Sequence, residues 1–182
     1  MARFSVPTKD QVSEGNQAIF DNLNKGLGFV PNLYAYFAKS DNALGDFLGF
    51  ANRKNSLSKQ EQEAINLAVS QINGCKYCQS AHTAIAGMHG YSNEQIIELR
   101  HGKASWDNKI NALAAFARET ATNRGNVSAQ TKDNFFNAGY TEENLVDTVT
   151  TVGEITITNY LHNLTGLEID FPLAPALDTA AA

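Results

Sequence analysis

Residues 63–82 read EAINLAVSQINGCKYCQSAH, which is the pattern of two helices joined by a sharp stop. Ile65, Ala68, Val69 and Ile72 recur at helical spacing and form an apolar stripe, and Asn73-Gly74 is a C-terminal stop signal. Cys75 then opens a second helix, expected to run to Gly90 and to bury Ala81, Ile85 and Met88. Cys75 and Cys78 are the chain's 2 cysteines. Their side chains meet on adjacent turns, within reach of a disulfide. His82 stands one further turn along the same face. If the helices fold back on each other at Asn73-Gly74, Glu63 faces the thiols from the neighbouring helix.

The flanking sequence is also helical. Upstream, Ala18, Ile19 and Leu23 lie at helical spacing between Ser13 and Lys25, with Gly26 and Gly28 closing the element. Asn32 is placed to cap a short helix through Lys39. Asp41 or Asn42 starts another, with Leu44, Phe47, Leu48 and Phe50 as its inner face. Ser58 with Glu61 has capping-box spacing at the start of the helix that carries Glu63. Downstream, Ser92 with Gln95 repeats that spacing for a helix ending at Arg100 before Gly102. Asp107 caps a helix bearing Ile110, Leu113, Ala114 and Ala117, Ser128 opens one to Ala138, and Thr141 opens a long one to about Asn163. This last contains TVTTVGEITIT, whose β-branched residues favour a strand on propensity alone. Helix is preferred because Leu145, Val149, Val152, Ile155 and Ile157 fit one buried face, with Glu143 and Asp147 off it. From Phe171 the chain, with Pro172 and Pro175, reads as an extended arm or frayed end.

The expected fold is therefore all-α, a bundle of helical hairpins in a single domain over residues 1–182. It comprises a core motif at 56–102, a second helical unit at about 107–166 and a C-terminal arm at 167–182. Two echoes suggest an internal pseudo-repeat. Ala43-Leu44-x-x-Phe47 before Ser58 resembles Ala112-Leu113-x-x-Phe116 before Ser128, and Gly90-Tyr91-Ser92 resembles Gly139-Tyr140-Thr141. Their offsets differ, and capping chemistry shared by the two stretches accounts for both equally well.

Net charge and cysteine usage narrow the function. A net charge of -5, with 14 scattered Lys and Arg, argues against a nucleic-acid surface, whose affinity comes from clustered cations. No apolar run is long enough for a membrane span, and MARFSVPTKD lacks the apolar core of a signal peptide, so a cytoplasmic protein is expected. In a reducing compartment a CxxC is catalytic or metal-binding rather than a scaffold disulfide.

A thiol acts as a nucleophile only as thiolate. The helix dipole favours Cys75, nearest the helix start, whereas proximity to His82 favours Cys78; on these grounds the choice stays open. Glu63 could pass a proton through His82. The plainer alternatives are two small side chains packed in a core and a solvated helix-face Glu63. His89 and His101 adjoin helix-ending glycines, where a histidine serves the helix terminus. Tyr34, Tyr36, Phe37, Phe47 and Phe50 read as core or subunit contact.

The spacing Glu63-x11-Cys75-x2-Cys78-x3-His82 resembles the signature of alkylhydroperoxidase D-like (AhpD-like) proteins in the carboxymuconolactone decarboxylase superfamily, among them members called peroxidase-related enzymes. The likeness continues through Gly28-Phe29-Val30-Pro31-Asn32 and Thr158-Asn159-Tyr160-Leu161-His162-Asn163. It implies an all-helical fold, a homo-oligomer (trimer or hexamer), and reduction of organic hydroperoxides by a dithiol–disulfide cycle. By position it implies Cys78 as the attacking residue, Cys75 as the resolving one, and Glu63 and His82 as a proton relay. In the family's best-understood member a histidine precedes the second cysteine, where this chain has Tyr77, a phenol whose pKa of about 10 makes it a poor relay at neutral pH. His162, within the second shared segment, is a further candidate, as a thiol neighbour or as a structural hydrogen-bonding residue.

With no GxGxxG and no flavin or nicotinamide motif, no cofactor is expected, and an external dithiol must restore the pair: a lipoyl adaptor, as the family suggests, thioredoxin or a small thiol. The competing readings are a zinc site on Cys75, Cys78, His82 and Glu63, a decarboxylase-like activity, and a non-redox helical interaction module.

Overall fold

A computed structural model describes residues 4–177, which form nine α-helices and one short 3-10 turn; among these residues there is no strand. They divide into two compact units. One comprises residues up to Lys54 with Leu161–Asp170, the other Asn55–Tyr160 with the residues from Phe171 onward.

In the first unit α1 (Glu14–Leu27) runs through Gly26 and stops at Gly28, and is followed by α2 (Asn32–Phe37) and α3 (Ala43–Ala51). Asn32 is not the cap of α2: Pro31 holds that position, and Asn32 instead donates its backbone N–H to Asp170 Oδ2 at 2.7 Å and its amide to the Glu168 carbonyl at 3.1 Å. Phe37 and Phe47 stack with centroids 4.8 Å apart, which anchors α3. Phe50 is not part of its inner face. Six residues beyond Leu44 it points well round the helix, and it lies exposed beneath the Arg53 guanidinium at 4.6 Å.

The second unit is built around α4 (Lys59–Ile72), which packs against α5 (Lys76–Met88), α6 (Asn93–Arg100) and α7 (Asn108–Thr122). With neighbours on three sides, α4 is buried continuously from Glu63 to Ser70 rather than along one stripe. The Ser58–Glu61, Ser92–Gln95 and Asp107 caps form as the sequence implies. Ala64, Leu67, Ala86, Tyr91, Ile96, Leu99, Ala104 and Ala114 make one apolar cluster between these helices. Met88 is exposed, against expectation, and the last turn of α5 is tied to α4 by a polar contact, Gln60 donating to the His89 carbonyl at 2.7 Å. Beyond α7, Phe135 of α8 (Ala129–Asn137) is sealed between the rings of Phe116 and Tyr140, at 4.5 and 4.6 Å. The second sequence echo has a structural counterpart, since Tyr91 and Tyr140 are both buried and donate to the start of α4, at the Gln60 carbonyl (3.0 Å) and Glu61 Oε1 (2.9 Å).

The β-branched stretch is helical, within α9 (Glu142–Thr165), and of the expected inner residues Val152 and Ile155 are buried and Leu145 is half-buried, but two others are not. Val149 and Ile157 are exposed, along with Val146 and Tyr160 on the same side, while Thr148, Thr151, Ile155, Thr158 and Asn159 are buried. Threonines tolerate that position because their hydroxyls donate one turn back, Thr148 to Asn144 at 2.7 Å and Thr151 to Asp147 at 2.8 Å. The arm is anchored rather than frayed as far as it is described: Ala174 N–H donates to Ser80 Oγ at 3.1 Å, and the Pro175 carbonyl accepts from the buried Arg100 guanidinium at 2.7 Å. Residues 178–182 of that arm lie outside the described residues.

Candidate active site

The turn between α4 and α5 puts the first cysteine in place. Gly74 takes φ +67, and the chain closes back on α4 through Gly74 N–H to the Gln71 carbonyl (3.2 Å) and Cys75 N–H to the Ser70 carbonyl (3.1 Å). This makes Cys75 both the last residue of the stop and the N-cap of α5, where its Sγ accepts the Cys78 N–H at 3.2 Å. Both cysteines stand as thiols, Cys75 fully buried and Cys78 2% exposed.

The fold brings Glu63 and His82 together across the hairpin. Glu63 Oε2 accepts from His82 Nδ1 at 2.8 Å, and Glu63 Oε1 accepts from Asn66 at 3.1 Å. The two side chains are only 9% and 18% exposed, so the pair is largely shielded from solvent. Burial opposes a charge on His82, but the Glu63 carboxylate outweighs it, helped by Glu154 and by Cys75, and the imidazole pKa is raised above 6.5. With Nδ1 engaged, Nε2 is the ring nitrogen left to exchange a proton.

Cys78 Sγ donates to Thr158 Oγ1 on α9 at 3.9 Å. The neighbouring Cys75 and burial push the Cys78 thiol up, while Asn159 and Thr158 pull it the other way. Around the two sulfurs runs a polar frame: Asn159 donates to Ser70 Oγ at 3.1 Å and accepts from Asn73 at 2.9 Å, and Gln79 donates to the Ser70 carbonyl at 3.2 Å while accepting from Arg100 at 3.1 Å.

The secondary candidates lie elsewhere. Tyr77 is buried edge-on against Phe171, with centroids 5.6 Å apart. His162 belongs to the other unit, where its Nε2 donates to the Leu167 carbonyl at 3.0 Å, a structural contact. Among the described residues no group of three or more His, Cys, Asp or Glu side chains is placed to hold a metal ion, which leaves the zinc alternative without a donor set. Sequence reasoning missed Asn66, Ser70, Asn73, Glu154, Thr158 and Asn159. The one available signal was that Thr158 and Asn159 open the second segment shared with the family.

Residues 38–119 match the model of the carboxymuconolactone decarboxylase family. Among solved structures, the chain is similar to the alkylhydroperoxidase AhpD core of a peroxidase-related protein from Ralstonia eutropha JMP134, at 22% identity over 92% of each chain with a TM-score of 0.83. It is similar to a peroxidase-related protein from Silicibacter sp. TM1040 at 23% identity, over 92% of this chain and 91% of that one, with a TM-score of 0.81. The debrominase Bmp8 is more distant, at 20% identity over 84% of each chain with a TM-score of 0.70. No curated protein matches the chain.

Proposed function

Since residues 38–119 are a carboxymuconolactone decarboxylase family region within an AhpD-like helical fold, we propose that the chain is a dithiol peroxidase acting on organic hydroperoxides. The observation that carries this reading is the 2.8 Å Glu63–His82 pair set beside two reduced cysteines on one hairpin. On this reading the hairpin offers a nucleophile, a resolving thiol and a proton carrier.

Cys78 thiolate attacks the distal peroxide oxygen, so that an S–O bond forms as the O–O bond breaks. The departing alkoxide takes its proton from His82 and leaves as the alcohol, with Glu63 balancing the imidazolium. Cys75 then attacks the sulfur of the Cys78 sulfenic acid, forming the disulfide and releasing water. The dithiol has lost two electrons and the peroxide has gained them. A second dithiol, on a lipoyl group, on thioredoxin or as a small thiol, reduces the disulfide and closes the cycle. The same family reading makes the protein a homo-oligomer, for which the exposed Val146, Val149, Ile157 and Tyr160 of α9 are an apolar contact surface.

The test is stopped-flow mixing of reduced protein with tert-butyl hydroperoxide and with hydrogen peroxide, followed by thiol counting. Both thiols are expected to disappear with one equivalent of peroxide. Cys78→Ser should abolish the reaction, and Cys75→Ser should stop it after one turnover at a trappable sulfenic acid. Full activity in Cys78→Ser rejects the assignment. The alternative of a decarboxylase-like or non-redox protein is favoured if both thiols stay inert.

A further inference from the structure

Along one face of α4, Glu63, Asn66 and Ser70 recur at helical spacing, and all three are buried. The outer two are engaged with the helix that carries the thiols. Glu63 Oε2 accepts from His82 at 2.8 Å, and the Ser70 carbonyl accepts the Cys75 N–H at 3.1 Å. Asn66 lies between these two contacts. Because α4 and α5 run antiparallel across the Asn73-Gly74 turn, the residue three along from Glu63 comes level with the one three or four back from His82, which is Gln79 or Cys78.

The amide of Asn66 is only half engaged. Its Nδ2 donates to Glu63 Oε1 at 3.1 Å. A carboxylate only accepts, so this bond fixes which end of the amide is nitrogen and leaves Oδ1 on the other side. That oxygen is sealed from solvent, in a residue 6% exposed, and accepts from no donor among the described residues. A buried carbonyl oxygen left unmet costs stability that a leucine of similar volume would not.

We infer, on the dithiol reading above, that Asn66 is a substrate-binding residue, whose Oδ1 accepts the hydroperoxide O–H and holds the distal oxygen facing Cys78. An alkyl hydroperoxide carries one hydrogen-bond donor, and it sits on the oxygen that Cys78 attacks. With that oxygen held by Asn66, the alkyl-bearing oxygen is left for His82, three residues beyond the level of Gln79 on α5. As the S–O bond forms and the O–O bond breaks, the held proton stays on its oxygen and becomes the O–H of the Cys78 sulfenic acid. The alkoxide takes its own proton from His82. Asn66 thus keeps one hydrogen bond through the whole step. A dialkyl peroxide brings no donor and leaves Oδ1 unmet, so the site discriminates against it. Peroxide that reaches Cys78, itself 2% exposed, is already level with Asn66.

The experiment compares two reagents on Cys78 in a Cys75→Ser background, with Asn66 intact and in Asn66→Ala and Asn66→Leu. Oxidation by tert-butyl hydroperoxide, which brings an O–H, is followed by dimedone capture of the sulfenic acid. Methyl methanethiosulfonate modifies the same sulfur and carries no hydrogen-bond donor. Loss of Asn66 should slow the hydroperoxide reaction by about tenfold, the worth of one hydrogen bond, and leave the thiosulfonate rate within about threefold. The 15N titration midpoint of His82 should be no lower than with Asn66 intact, because Asn66 draws on the same carboxylate that supports the imidazolium. Both rates falling together, or a hydroperoxide rate within about threefold in a variant of native circular dichroism, overturns the inference. So does a lowered His82 midpoint, which assigns the loss to the proton relay. Should one variant not fold, the other decides alone. Failure of the peroxidase reading appears separately, with Asn66 intact, as a Cys78 that reacts with the thiosulfonate and not with hydroperoxide, and the role of Asn66 falls with it.

Discussion

Replacing Glu63 by Gln removes one charge from the His82 pair and leaves the shape of the side chain unchanged. The wild-type carboxylate offers one oxygen to His82 at 2.8 Å and the other to Asn66 at 3.1 Å. A glutamine has one oxygen for these two donors, so one of them loses its acceptor. At 9% and 18% exposure this is a charge-assisted bond largely shielded from water, worth about 1.5–3 kcal/mol against about 0.5–1.5 kcal/mol for a neutral one. The expected loss is therefore about 1–2 kcal/mol, and it depends on pH. Because the folded-state pKa of His82 is raised above 6.5, the ion pair's contribution is fully present below that value and fades as pH climbs through the folded-state pKa. Urea unfolding followed by circular dichroism should show the variant less stable by the full amount near pH 5.5, with the gap narrowing toward pH 9. A 15N titration of the imidazole should show the His82 midpoint falling. An identical stability gap at both pH values, or an unmoved His82 midpoint, would falsify the ion pair and with it the proton relay.

Other outcomes follow from particular contacts. Phe135→Ala should cost about 3–5 kcal/mol in urea unfolding, because it empties a fully buried site between Phe116 and Tyr140; a loss under 1 kcal/mol would mean that α8 is not anchored there. Ile157→Glu places a charge in the exposed apolar side of α9. Sedimentation velocity should then find a smaller assembly with unchanged circular dichroism, and an unaltered mass would remove this face from the contact. His82→Gln should slow peroxide consumption by about 100-fold or more, since the departing alkoxide loses its proton donor, and a rate within threefold of wild type would exclude that role.

The helices and the hairpin were legible in the chain because they depend on local chemistry. Ser58, Ser92, Asp107 and Ser128 cap helices through their own side chains, and Asn73-Gly74 supplies the left-handed residue that the stop before Cys75 requires. That stop also aligns Glu63 with His82, since two helices folded back on a short turn have little choice of register. The buried face of α9 was legible only in part, at Val152 and Ile155. Val149 and Ile157 look like core on hydrophobicity, yet they point outward. The inward positions go to Thr158 and Asn159, whose partners Ser70, Asn73 and Cys78 are some eighty residues away. Periodicity along a helix says that one side is buried and leaves open which side it is when the polar side chains find their hydrogen bonds on a distant element. Local chemistry specified a hairpin that carries Glu63, Cys75, Cys78 and His82; the packing of α9 against it settled which groups surround the second sulfur, because that choice depends on pairing donors and acceptors far apart in the chain.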